Sequence, residues 1–405
     1  MNRLLLKSIV RRKISRYEKL AALYYLDKAE LIDRTRYLCR GKYFTRSDHE
    51  FTWHLYEDRE RAFLSNFRIS REKFHEIVGL IKDNEVFQTS NKKKQAPVEF
   101  QMMVFFKYIG TKGCTYQQMR SFFRIGLGTV VLFIRRVCKA LHDMKGKVIY
   151  WPSDGEKTLI KDYYGRHFHW HDCVGTIDGT CVVLYCKPTL HGEDYFDRKN
   201  SYSVNLQVVI DPDGRVRYLF CGPPGSQHDS TCLRWSKMGK YPHHFFQGYE
   251  HLLADSAYIN SRWMICNYKK PRNTSLPVHH RLFNWALSKP RTKSECAFGW
   301  WKGRFPFFEC ARINLRSVKD MTWLCELVTA SFVVQNLLVG SFLDDSFYVR
   351  DPYMDIADDY PAGMFDDDLN PNLPESEARA RSHNYLHAHN YFRGVKSRVY
   401  RPTRT

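Results

Sequence analysis

Cys173-Val174-Gly175-Thr176-Ile177-Asp178-Gly179-Thr180 decides how the chain is read: an apolar, β-rich run that ends in an acid. A second run of the same kind, Glu250-His251-Leu252-Leu253-Ala254-Asp255, also closes on an acid. Val182 to Tyr185 either continues the first strand or returns from it. Between the two runs lie a β-rich segment from Ser201 to Ile210, the turn Asp211-Pro212-Asp213-Gly214, and a strand from Arg215 to Cys221. Gly222-Pro223-Pro224-Gly225 stops that strand, and a helix is expected over Asp229 to Lys237. Long helices are expected from Arg291 to Gly303 and from Val318 to Leu338. Strands, a hairpin, a helix, a further strand and then helices make an α/β domain over 170–342. Open α/β sheets place their sites at the carboxyl ends of strands, so Asp178 and Asp255 are expected at one sheet edge.

Cleavage of a phosphodiester by two metals needs oxygen ligands that hold divalent ions about 3.5–4 Å apart. Carboxylates are the suitable hard ligands for Mg²⁺. Glu295, on the helix that follows, completes strand, strand and helix, the acid order an RNase H-like nuclease requires. Singly, each acid has a plainer reading: an Asp at a strand end is commonly a turn residue, and Glu295 can pair with Arg291 four positions earlier. The joint occurrence favours the site, with Asp178, Asp255 and Glu295 both catalytic and metal-binding.

Several blocks resemble the PIF/Harbinger transposase-derived nucleases. Gly175-Thr176-Ile177-Asp178-Gly179-Thr180 is similar to that family's first-acid block, and Leu253-Ala254-Asp255-Ser256-Ala257-Tyr258 to its second. Pro224-Gly225-Ser226-Gln227-His228-Asp229-Ser230 resembles the block after the hairpin. Phe283-Asn284, Leu287-Ser288, Arg291, Glu295, Phe298-Gly299, Lys302 and Arg304-Phe305 resemble the third-acid helix, and Val334-Gln335-Asn336-Leu337-Leu338 the closing helix. Ala254 and Ala257 stand where the family usually has glycine. The resemblance implies an RNase H-like DDE fold, cleavage or strand transfer on DNA, Mg²⁺ or Mn²⁺ as a pair of ions, and a nuclear setting. It also implies a separate Myb-like DNA-binding partner, and leaves a homo-oligomer open. A domesticated copy that binds DNA or regulates without useful cleavage is the alternative, and an RNA nuclease a weaker one.

Two accessory residues follow. Asp229 either supports a metal or caps the helix it opens, the cap being the preferred reading. Lys302 lies at i+7 from Glu295 on the same helix face, where it would contact a phosphate. His167, His169 and His171 alternate and would share one face of a strand; without a matching Cys or His nearby they read as exposed or DNA-facing rather than as ligands.

Upstream, residues 51–150 read as helical. Ser70 caps a helix carrying Phe74, Ile77, Val78 and Ile81, and further helices are expected over 98–109, 115–123 and 128–144. A short helix, a glycine-containing turn and a longer helix suggest helix-turn-helix. Arg135, Arg136 and Lys139 on the third are then candidate DNA contacts, against an ordinary packed hairpin with a solvated basic edge. Sixty-three Lys and Arg against 43 Asp and Glu leave a net charge of +20, which favours a polyanionic partner. The twelve cysteines are scattered, with no C-x-x-C pair, so neither a zinc pattern nor a disulfide framework is visible. No unbroken run of 18 apolar residues suggests a membrane span. Residues 1–50 read as a basic helical extension whose apolar runs are too short for a signal peptide. Residues 344–378 hold nine Asp, two Glu and one base, and 379–405 hold seven Lys or Arg and no acid, so 343–405 is expected to be a disordered tail.

Overall fold

A computed structural model describes residues 59–88, 95–271 and 275–339, with Tyr24, Tyr25, Asp27 and Lys28. The expectations for the rest of 1–50 and for the 343–405 tail lie outside the described residues. The domain is mixed α/β, built on five strands: β1 (Cys173–Val183), β2 (Ser203–Ile210), β3 (Val216–Pro224), β4 (His251–Ala254) and β5 (Met264–Cys266). Their order is β3-β2-β1-β4-β5. β1 to β3 form an antiparallel meander, while β4 runs parallel to β1 and β5 parallel to β4. Gly175 marks a register shift in the β1–β4 ladder; its φ of +153° and an Ile210 oxygen 3.0 Å from where a Cβ would stand both demand glycine. Asp178 does not end its strand. The ladder with β2 continues from Thr176↔Ile210 to Val183↔Ser203, because fully buried β2 pairs along the whole length and only the half-buried Asp178-Gly179-Thr180 stretch interrupts the apolar pattern.

The helices preceding the sheet are α1 (Glu60–Phe67), α2 (Arg71–Ile81), α3 (Val98–Ile109), α4 (Tyr116–Phe123), α5 (Leu127–Asp143), α6 (Lys145–Val148) and α7 (Asp154–Phe168). Ser70 caps α2 as expected, accepting from the Lys73 N–H at 3.4 Å. Thr115 and Gln118 form a reciprocal capping box on α4. α8 (Asp229–Trp235) and α9 (Lys237–Lys240) follow β3, and α10 (Val278–Arg304) and α11 (Val318–Leu338) close the chain. One apolar core, running from Phe63 in α1 through Phe105 and Ile134 to Trp301 and Val333, joins the early helices to α10 and α11.

α11 is long and apolar enough to cross a membrane, with a mean hydropathy of 1.3. Most of it is instead buried against α5 and β3. Asn336 ties it to the edge strand: its Oδ1 accepts from the Val216 N–H and its Nδ2 donates to the Val216 oxygen, each at 2.8 Å.

α10 begins thirteen residues before the expected start and runs through Pro290. A proline removes the N–H that would bond the carbonyl four residues back, here that of Ala286. The buried Trp170 indole donates to this carbonyl at 3.3 Å, so the helix continues with its acceptor satisfied. The alternating histidines form no strand. His167 is the penultimate residue of α7, stacked on Tyr163, and His169 is the left-handed residue that ends the helix.

Candidate active site

The β1–β4 register sets the site. Thr176 pairs with Leu253, the last pair of the β1–β4 ladder, and Asp178 and Asp255 each follow two residues further on, Asp178 still within β1. Side chains two apart share a sheet face. That face is the one covered by α10, since Thr176 Oγ1 meets Ser294 Oγ of α10 at 2.5 Å. Asp255 lies just past the end of β4 and turns back to accept the Ala257 N–H at 2.9 Å.

Asp178 is poorly satisfied for a carboxylate whose side chain is only 19% exposed. Its Oδ1 accepts one N–H, from Gly179, at 2.8 Å. Its Oδ2 faces Arg291 Nη2 at 3.7 Å, too far for a hydrogen bond. Burial pushes its pKa up to about 6; Arg291 and the Gly179 N–H oppose the rise, while the like charges of Asp255 and Asp229 add to it. Asp178 and Asp255 therefore act on each other electrostatically.

Glu295 is exposed, one helical turn beyond Arg291 on α10. The structure brings Asp178, Asp255 and Arg291 together; no group of three His, Cys, Asp or Glu side chains close enough to hold a metal ion occurs among the described residues. The donor set nevertheless suits a hard divalent cation: two neighbouring carboxylates of like charge, one with an oxygen free of hydrogen bonds, faced by a helix that carries a third.

Asp229 has a different role from the preferred cap. His228 is the N-cap of α8 and no side-chain cap bond forms. Asp229 instead turns to the opposite sheet face, where its Oδ1 accepts from Gln207 Nε2 at 2.8 Å and Asn205 Nδ2 at 3.4 Å. Gln207 in turn accepts from the buried Tyr258 hydroxyl. The Asp229 carboxylate and Gln207 Nε2, the latter at 2.9 Å, stand where a Cβ on Gly179 would go. Gly179 is thus required by the residue packed on it.

Lys302 is half-buried. Burial, chiefly, and Lys199 lower its pKa, against the opposing influence of the Cys181 thiol and Glu309, so it sits beside the later part of β1. Of the α5 cations, Arg135 lies 4.7 Å over the Trp323 ring of α11, Lys139 is exposed and paired with Asp143, and Arg136 is half-buried with its pKa lowered by burial.

Sequence reasoning missed the Arg291–Asp178 pair. The available signal was a basic residue exactly one helical turn before Glu295, which the sequence assigned to Glu295 instead.

Residues 177–336 match the family model described as DDE superfamily endonuclease, a span that contains all three acids. The chain is similar to the Arabidopsis thaliana protein named Antagonist of Like Heterochromatin Protein 1, at 23% identity over 309 residues, covering 71% of this chain and 76% of that one. It is also similar to Protein ALP1-like from Arabidopsis thaliana, at 24% identity over 237 residues, covering 54% and 57%. No solved structure matches the chain with significance.

Proposed function

The chain belongs to the DDE superfamily endonucleases of the PIF/Harbinger-derived kind, and from that premise we propose that it is a divalent-metal-dependent DNA nuclease whose working carboxylates are Asp178, Asp255 and Glu295. The observation that carries this reading is the β1–β4 ladder that ends two residues before both Asp178 and Asp255, leaving the two carboxylates close enough for their like charges to act on each other. The strand order, with an antiparallel meander joined to two parallel strands, supports an RNase H-like domain.

Asp178 and Asp255 would hold Mg²⁺ or Mn²⁺ from the sheet, and Glu295 from α10. Bound there, a pair of such ions supplies Lewis acidity and neutralises charge at the phosphate. The chain's own residues do the rest. β1 fixes Asp178 by its ladder with β2, where it pairs with Val208, and the Gly179 N–H orients one of its oxygens. The Thr176–Ser294 contact locks α10 against β1, which sets where Glu295 is presented. The net charge of +20 draws a polyanion to the surface. Arg135, Arg136 and Lys139 on α5 are proposed as backbone contacts, in a nuclear protein that works on DNA with a Myb-like partner.

The test is nicking of supercoiled DNA in Mg²⁺ or Mn²⁺ by the full chain and by Asp178→Asn. Cleavage by the wild type alone supports the reading; equal cleavage by both overturns the assignment of Asp178. A second reading, a DNA-binding or chromatin-regulatory module without useful cleavage, is favoured by the name of the Arabidopsis relative, an antagonist of a heterochromatin protein. Metal-independent DNA binding with no cleavage by either protein selects it.

A further inference from the structure

Arg291 is the least satisfied charged group at the site. It is 6% exposed, its Nε is buried with no partner among the described residues, and its one ionic neighbour is Asp178 at 3.7 Å. A buried guanidinium normally spends its five donors on carboxylates, carbonyls or water, because an unmet buried donor is costly. Here the fork faces the Asp178 carboxylate from the same helix that carries Glu295, one turn further on. Its position is fixed from behind: Pro290 and Ser294 flank it on α10, both buried, and Ser294 is bonded to Thr176.

We propose that Arg291 is a phosphate-binding residue of this site, donating its free N–H groups to a non-bridging oxygen of the phosphodiester held beside Asp178. The inference rests on the nuclease reading and goes beyond the carboxylates that define it. A planar fork with unmet donors is complementary to a phosphate oxygen pair. Asp178 holds the fork at the site by charge but at 3.7 Å makes no hydrogen bond that a phosphate would have to displace. The alternative role is a counter-ion that only neutralises Asp178.

The two roles separate in a double-mutant cycle. Affinity of the full chain for a fluorescein-labelled DNA duplex in Ca²⁺ is measured against salt concentration for wild type, Arg291→Gln, Asp178→Asn and the double variant. The proposal expects Arg291→Gln to lower the salt slope by about one and the affinity by about tenfold, in both the wild-type and the Asp178→Asn backgrounds. An unchanged slope overturns it, as does an effect that vanishes once Asp178 is Asn, the mark of a counter-ion. Arg291→Lys guards against misfolding, because it keeps the cation and loses the fork: its slope stays near the wild-type value while its cleavage falls. Wild-type cleavage at the proposed acids together with an unmoved slope would end this inference and leave the nuclease reading standing. Wild-type binding without metal-dependent cleavage would end the nuclease reading, and a wild type that does not bind DNA would end both.

Discussion

Asp178 and Asp229 stand on opposite faces of the same sheet and live in opposite circumstances. Asp229 is held by two side-chain amides, and Tyr258 completes the chain behind Gln207. Asp178 has one backbone N–H, a distant guanidinium and two like charges acting on it, Asp255 and, from across the sheet, Asp229 itself. A satisfied buried polar group rigidifies a fold. An unsatisfied group that is nevertheless retained marks a place where something else is to bind. The contrast assigns structure to one face of β1 and chemistry to the other.

The largest expected effects fall on the open face. Asp178→Asn and Asp255→Asn each lower metal-dependent cleavage by about a thousandfold, the rate equivalent of several kcal/mol of lost charge stabilisation. Glu295→Gln sharpens the comparison: an equal loss in a plasmid-nicking assay would join this exposed helix residue to the two strand acids, and wild-type cleavage would remove it from the site.

On the closed face the effects are on stability. Gly179→Ala drives a methyl into the Asp229 carboxylate and Gln207, and lowers unfolding free energy by about 1–3 kcal/mol in urea denaturation. Gln207→Leu leaves Asp229 and Tyr258 without their shared partner, at a cost of about 1–3 kcal/mol by the same measurement. A neutral result for both would break the claim that this network holds the sheet.

The smallest effect comes from a carboxylate away from both faces. Burial raises the pKa of Glu156, but bonds from the Ser153 N–H and hydroxyl, Tyr150 and Arg217 outweigh it and bring it down to about 2. With the folded value below the ordinary 4.5, its contribution is complete above that value and is lost as pH falls toward about 2. The stability gap between wild type and Glu156→Gln should therefore be constant from neutral pH to about 5 and shrink in acid. A gap that grows in acid would reverse the sign of the account.

Much of this was legible in the sequence because it is written locally. Apolar runs ending in acid located β1 and β4, Asp-Pro-Asp-Gly located the hairpin, and Ser70 and Thr115 located helix starts. What was hidden depends on partners distant in the chain. The helix expected to start at Arg291 begins thirteen residues earlier, passing through Pro290 because Trp170 takes up the freed carbonyl. Asp229 reads as a cap until β2 offers two amides. Arg291 reads as a helix-surface partner of Glu295 until the packing of α10 turns it toward β1. The basic face of α5 reads as free until Arg135 is found over Trp323 and Lys139 beside Asp143.

The central claim is the division of labour between the two faces, and cleavage normalised to the folded fraction tests it most directly, with Asp178→Asn set against Asp229→Ala. The account predicts that Asp178→Asn loses cleavage while remaining folded, and that Asp229→Ala loses stability but cleaves in proportion to what is folded. A well-folded Asp229→Ala that cannot cleave, or an Asp178→Asn that cleaves like the wild type, would contradict it.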